Sequence, residues 1–252
     1  MELGAVFLLL VGGLALIVPS VLTTLAKMRG KETSPPTVRP ILAFQDMPVE
    51  TGNAAERGGA VHIALGNGSL YGEDMTLSLA GLQVLESLVD GAVAYRASPI
   101  VTVGDPTLLP LAQDVLRRAY ERSNVAELFD PRMVRFVASS PVAYAAGAGH
   151  LVSAEQITAN MMVGSFGAEV SLIADAGLRR ALPQLAAAAA PGAIGALYPA
   201  TDHLAMGEEL YAAGAQITEE PRYLHGLTAQ DILRMVVIVA IAGSAVMALL
   251  GG

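Results

Sequence analysis

The spacing of apolar and polar positions divides the chain into two uncharged ends and an alternating middle. The first end, residues 3–25, reads LGAVFLLLVGGLALIVPSVLTTL. At 1.5 Å per residue it reaches about 34 Å, enough for a hydrocarbon layer roughly 30 Å thick, and predicts a first spanning helix. A cleaved signal peptide is the alternative, but Glu2 precedes the run and AKMRGK follows it, the reverse of the charge order such peptides need. The second end is uncharged from Met235 to Leu250, with Thr228 and Asp231 placed as a capping pair before it. It predicts a second span over 231–250. Ala240, Ser244 and Ala248 recur every four residues there, a spacing that lets membrane helices pack closely, although alanine is abundant throughout this chain.

Between the spans, residues 26–59 are rich in proline, glycine and polar residues and read as an extended linker. Residues 218–230 form a matching linker before the second span. Residues 60–217 alternate short apolar runs with longer segments of helical spacing. The runs are AVHIAL, PIVTV, VRFVA, ANMMVG, QLAAAAA and HLAMG. Met75, Leu79, Leu82, Leu85 and Val89 mark the apolar side of one helix, and Leu108, Leu111, Val115 and Tyr120 that of another. Wholly apolar strands alternating with helices predict a parallel sheet covered on both faces. The fold class expected is therefore α/β: a Rossmann-like, doubly wound parallel sheet, order 3-2-1-4-5-6, flanked by an N-terminal and a C-terminal transmembrane helix. The alanine run is the weakest strand, because alanine favours helix.

Charge sets the orientation. Lys27, Arg29, Lys31 and Arg39 follow the first span and Arg222 and Arg234 border the second, while only Glu2 lies beyond. The positive-inside rule then places the central domain in the cytoplasm, in a two-pass protein of the inner membrane. The composition fits: 53% hydrophobic and 15% charged residues, with a mean hydropathy of +0.52. The net charge of −8 argues against a nucleic-acid partner. The chain has no cysteine, and Lys27 and Lys31 are its only lysines, so thiolate ligands, a P-loop lysine and a lysine base are excluded from the central domain.

The glycine-rich VHIALGNGSLYG invites comparison with a dinucleotide fingerprint. Gly66 and Gly68 fit its first two places, but Tyr71 occupies the third and Gly72 comes one residue late. Glu73 and Asp74 then stand where a phosphate would meet the helix dipole, with Asp74 the expected N-cap. No cofactor is expected. In the assumed strand order the first and fourth strands flank the topological switch point. Gly66, Asn67, Gly68, Asp105, Gly164, Ser165, Gly167 and Glu169 are therefore the candidate ligand-binding residues, with an unknown small molecule as their partner. The plainer reading is that these glycines make turns and that Glu169 meets a helix dipole. Asp202, His203, Glu208 and Glu209 lack a recognised metal-ligand spacing, and no metal is expected. His62 reads as a core histidine, and His150 and His225 as surface or juxtamembrane groups. No G-x-S-x-G, H-E-x-x-H or Walker motif occurs.

The runs VHIALGNGSLYGEDMTLSLAGLQVL, PIVTVGDPTLLPLAQDVLRRAYER, MVGSFGAEVSLIADAG and GEELYAAGAQI together resemble an uncharacterised bacterial membrane-protein family, a domain of unknown function between two hydrophobic segments. The resemblance implies the same anchorage and single central domain, and supplies no catalytic residues. The expected function is a membrane-anchored scaffold or small-ligand sensor, with the lipid bilayer and other copies of the chain as partners in a homo-oligomer. The alternative is a membrane-bound enzyme acting on a small polar molecule or nucleotide in the switch-point crevice, with Asp105 and Glu169 as acid–base candidates. A transporter subunit is disfavoured because the apolar stretches of the two spans, 3–25 and 235–250, place no charge within the membrane.

Overall fold

The computed structural model describes residues 41–217, so the two expected spans, the packing triad Ala240, Ser244 and Ala248, the linker 218–230 and His225 lie outside the described residues. Residues 40–218 form one compact unit. Its elements run α1 (Leu42–Glu56), β1 (Ala60–Gly66), α2 (Met75–Ala94), β2 (Ser98–Val103), α3 (Leu108–Arg122), β3 (Val134–Phe136), α4 (Pro141–Ala154), β4 (Ile157–Ser165), α5 (Ser171–Arg179), β5 (Gln184–Ala188), α6 (Pro191–Leu197), β6 (His203–Met206) and α7 (Glu209–Ile217).

All six strands pair in parallel, in the order β3-β2-β1-β4-β5-β6. The alanine run does form a strand. β5 lies between β4 and β6 with each of its residues buried, and there a flat, small side chain fits where helix propensity would otherwise rule. Alternate strand residues feed two cores. One face, with Ile63, Val101, Met161 and Leu185, is covered by α1, α2, α3 and α7. The other, with Ala64, Met162 and Ala186, is covered by α4, α5 and α6.

Two expectations need correction. The second half of the expected linker 26–59 is helix α1, despite Pro48 inside it. Phe44, Met47, Thr51 and Ala54 recur at helical spacing and are buried against the first core, and that burial outweighs the backbone bond the proline cannot donate. The Thr51 hydroxyl donates to Met47 O (2.7 Å) on the same face. On α2 the expected stripe enters the core only from Leu82 onward; Met75 and Leu79 are exposed, and the small residues Ser78 and Gly81 face the sheet instead. Among the described residues α2 is the one helix long and apolar enough to cross a membrane, and it packs as the central helix on β1, β2 and β4.

The chain enters and leaves this unit on one face. Asp46, in the second turn of α1, pairs with His203 at the start of β6 (3.1 Å), and α1 also packs on α7. The Thr76 hydroxyl lies 3.3 Å from Tyr211 Oη, which joins the first turns of α2 and α7 so that both run away from the carboxyl ends of the strands.

Candidate functional site

The strand order puts β1 beside β4 with their connections leaving in opposite directions, and the sequence-selected residues gather at that switch point. The two loops are zipped together there. Gly66 is in register with Ser165, and Asn67 N–H donates to Ser165 O (3.0 Å). On the other side Gly104 N–H donates to Gly66 O (2.8 Å), tying in β2.

The glycines are explained by how closely the chain approaches itself. Gly66 has φ +81°, and a Cβ there would stand 1.9 Å from Ser165 O. A Cβ on Gly68 would meet Ser78 Oγ at 2.4 Å and Ser165 Cβ at 2.7 Å, and one on Gly104 would meet Asn67 Nδ2 at 2.5 Å. Gly164, at φ +143°, lies against Leu65 O. Space that a dinucleotide loop leaves for phosphate is thus filled by the protein's own atoms. In that motif a third glycine also lets the helix approach the sheet; here Gly81, from within α2, packs against Val163 O and Gly164. Tyr71, at the third place of the sequence pattern, is 78% exposed.

The carboxylates have local partners. Asp105 Oδ1 accepts from Thr107 N–H (2.8 Å) and from the Thr107 hydroxyl, and that hydroxyl oxygen accepts from Leu70 N–H (3.2 Å). Asp105 therefore belongs to the same loop cluster as Gly66–Gly68. Glu169 Oε1 accepts from Gly167 N–H (2.7 Å) at the start of the turn Ala168–Val170. Asp74 precedes α2 as expected but makes no cap bond; its Oδ1 accepts from the Ser165 hydroxyl (3.0 Å). At the opposite, amino ends of the strands Asp202 Oδ2 accepts from Gln184 N–H (2.8 Å), and after β6 Glu209 Oε2 accepts from Met206 N–H (2.9 Å). Among the described residues no three His, Asp or Glu side chains converge as metal ligands.

Two side chains at the switch point stand apart. Both amide atoms of Asn67 and the hydroxyl of Ser78 are buried with no hydrogen-bond partner. A buried polar group left in that state costs about 1–3 kcal/mol.

Behind this cluster runs a buried polar ladder across the sheet. Gln184 Nε2 donates to two backbone carbonyls, Ala174 O (3.0 Å) and Ala200 O (2.9 Å), which fixes the orientation of its amide. Gln184 Oε1 must then accept from Asn160 Nδ2 (2.7 Å), which turns Asn160 Oδ1 toward His62 Nδ1 (2.7 Å) and places the imidazole proton there. His62 Nε2 is left to accept from the Thr102 hydroxyl (3.0 Å). Tyr144 Oη donates to Thr102 O (3.2 Å) and accepts from Gly66 N–H (3.2 Å). The ladder thus ends on the first glycine of the loop. Burial lowers the His62 pKa to about 4, against the smaller opposing effect of its bond to Asn160, so the imidazole is neutral near pH 7. Burial likewise pushes the Tyr144 phenol up to about 12.

The family described as a domain of unknown function (DUF6754) matches residues 5–252. The chain belongs to that family. No curated protein and no solved structure matches it. Membership of DUF6754 agrees with the uncharacterised family expected from sequence and brings no residue roles, so the chemistry of this DUF6754 chain rests on its own geometry. His62 is the core histidine expected from sequence, and His150 is exposed. Sequence reasoning missed Thr102, Tyr144, Asn160 and Gln184. The signal was present: each of the four strands VHIAL, IVTV, ANMMV and QLAAA carries one polar residue among apolar ones, and in register they share a face.

Proposed function

We propose that the chain is a two-pass membrane protein whose central α/β domain works on the cytoplasmic side as a scaffold and small-ligand sensor, assembled from several copies. The observation that carries the ligand part is the switch point itself. Buried polar atoms of Asn67 and Ser78 lack protein partners at the place where open α/β sheets bind ligands. Asn67 sits between Gly66 and Gly68, beside the ladder that crosses the sheet, so a ligand satisfying its amide would act on a loop bonded to the core.

A sensor accounts for these residues better than the enzyme reading. Asp105 and Glu169, its acid–base candidates, are each occupied by local N–H or hydroxyl donors, and His62 is buried and neutral. The tether is supported by the uncharged runs 3–25 and 235–250 and by the shared face on which the chain enters and leaves the domain. The small-residue face Ala240, Ser244 and Ala248 supports assembly.

Native mass spectrometry of the full chain, released from its own membrane in mild detergent, tests the reading. Expected are oligomers that carry a small molecule, from a protein that resists alkaline carbonate washing. A strictly monomeric, ligand-free chain, or one that carbonate strips from the membrane, would overturn it.

A further inference from the structure

We infer that the switch-point site takes a small organic cation, one bearing an ammonium or guanidinium group; this rests on the sensor reading above and specifies its ligand class. The loops that follow the six strands, residues 67–74, 104–107, 137–140, 166–170, 189–190 and 207–208, contain Glu73, Asp74, Asp105, Glu169 and Glu208 but no lysine, arginine or histidine. Arg122 with Asp90, Arg135 with Glu155 and Arg179 with Asp175 form their ion pairs away from Asp74, Asp105 and Glu169. At the strand ends Asp74, Asp105 and Glu169 are offset by hydroxyl and N–H dipoles alone. Such a field repels phosphates and carboxylates and attracts cations.

The second, independent observation is Ser78. It is 2% exposed, its Oγ has no partner, and it lies against Gly68 at the point where Ser165 Cβ and Asp74 Cβ also converge. The Asp74 carboxylate and the Ser78 and Ser165 hydroxyls around Gly68, with the unpartnered Asn67 amide in the preceding residue, match a ligand that brings several N–H donors and a positive charge. Among the described residues no three His, Cys, Asp or Glu side chains meet, so the carboxylate cage that favours a divalent metal is missing, and magnesium serves as the competitor in the test. Gly68 covers Ser78, so binding requires the loop 67–74 to lift. Beyond Asn67 that loop is held to the strand ends by the bond from Leu70 N–H to Thr107 and the Ser165–Asp74 contact.

The test uses the full chain in detergent with putrescine as probe, against 1,4-butanediol, succinate and magnesium chloride at constant ionic strength, read by calorimetric titration. Expected is saturable binding of putrescine, weakened about tenfold or more in Asp74→Asn and in Ser78→Ala, with no binding of the diol or the dianion. Asp74→Ser removes the charge while leaving an oxygen that can accept from the Ser165 hydroxyl, and it should lose binding equally without loss of folding. Preference for magnesium, for the diol or for succinate, or putrescine binding unchanged in these variants, would overturn the inference. A co-purified neutral or anionic molecule in the native mass spectrum would sink the cation while sparing the sensor; no bound molecule of any class would sink the sensor itself.

Discussion

His62 Nδ1 and Asn160 Oδ1 lie 2.7 Å apart, both residues fully buried, on adjacent parallel strands whose Cα positions are in register. The pair is built for a neutral imidazole, because Nε2 already accepts from Thr102. Protonation would bring a charge into the core and set two donors face to face.

The consequence is a defined acid sensitivity. The folded-state pKa of about 4 lies below the ordinary 6.5, so between those values the unfolded chain binds the proton and the native one does not. The stabilisation is fully present above pH 6.5 and is lost as the pH falls toward 4, a change of about 3 kcal/mol. Arg135 and Glu155 act on His62 in opposite senses and leave the direction unchanged. Denaturant midpoints at pH 7 and pH 4.5 for the native chain and for His62→Gln should show the native chain losing more. Equal losses would mean that carboxylates alone carry the acid response.

Glycine substitutions should separate the loop from the helices. Gly66→Ala sets a Cβ against Ser165 O at a positive φ and should destabilise by about 3–5 kcal/mol. Gly91→Ala, in α2 with nothing within 4 Å of its new methyl, should stabilise by about 0.5–1 kcal/mol. Thermal unfolding of both variants checks the pair. Similar midpoints would show that the β1–β4 junction is looser than described.

Ala181 follows α5 with φ +50°, and its side chain is exposed. The bonds Ala181 N–H to Leu178 O and Leu182 N–H to Gly177 O close the helix around it, a place that suits glycine. Ala181→Gly should raise stability by about 0.5–1 kcal/mol, the left-handed strain relieved exceeding the extra chain entropy. Chemical denaturation reads this directly, and a loss of stability would contradict the turn.

The strands and their order were legible because fully apolar runs at regular intervals leave few arrangements of a parallel sheet. Helix α1 was not, since Pro48 and a run of Gly, Asn and Glu conceal a stripe at Phe44, Met47, Thr51 and Ala54 that only tertiary burial rewards. The switch-point residues were legible as a group. What Gly66, Gly68 and Gly164 do was not, because a glycine that makes room for a ligand and one that makes room for a neighbouring carbonyl are written alike. The ladder partners escaped because their pairing is set by register between strands far apart in the chain.

The alanines of β5 are interchangeable, so hydrophobic contact alone would let that strand slide two residues along β4 with small penalty. Gln184 removes that freedom. Held by Asn160 on one side and by the carbonyls of Ala174 and Ala200 on the other, it acts as a detent: any slip leaves the amide among methyl groups and Asn160 with nothing to receive its proton. A featureless strand is thereby given one allowed position, fixed by the single polar residue at its start.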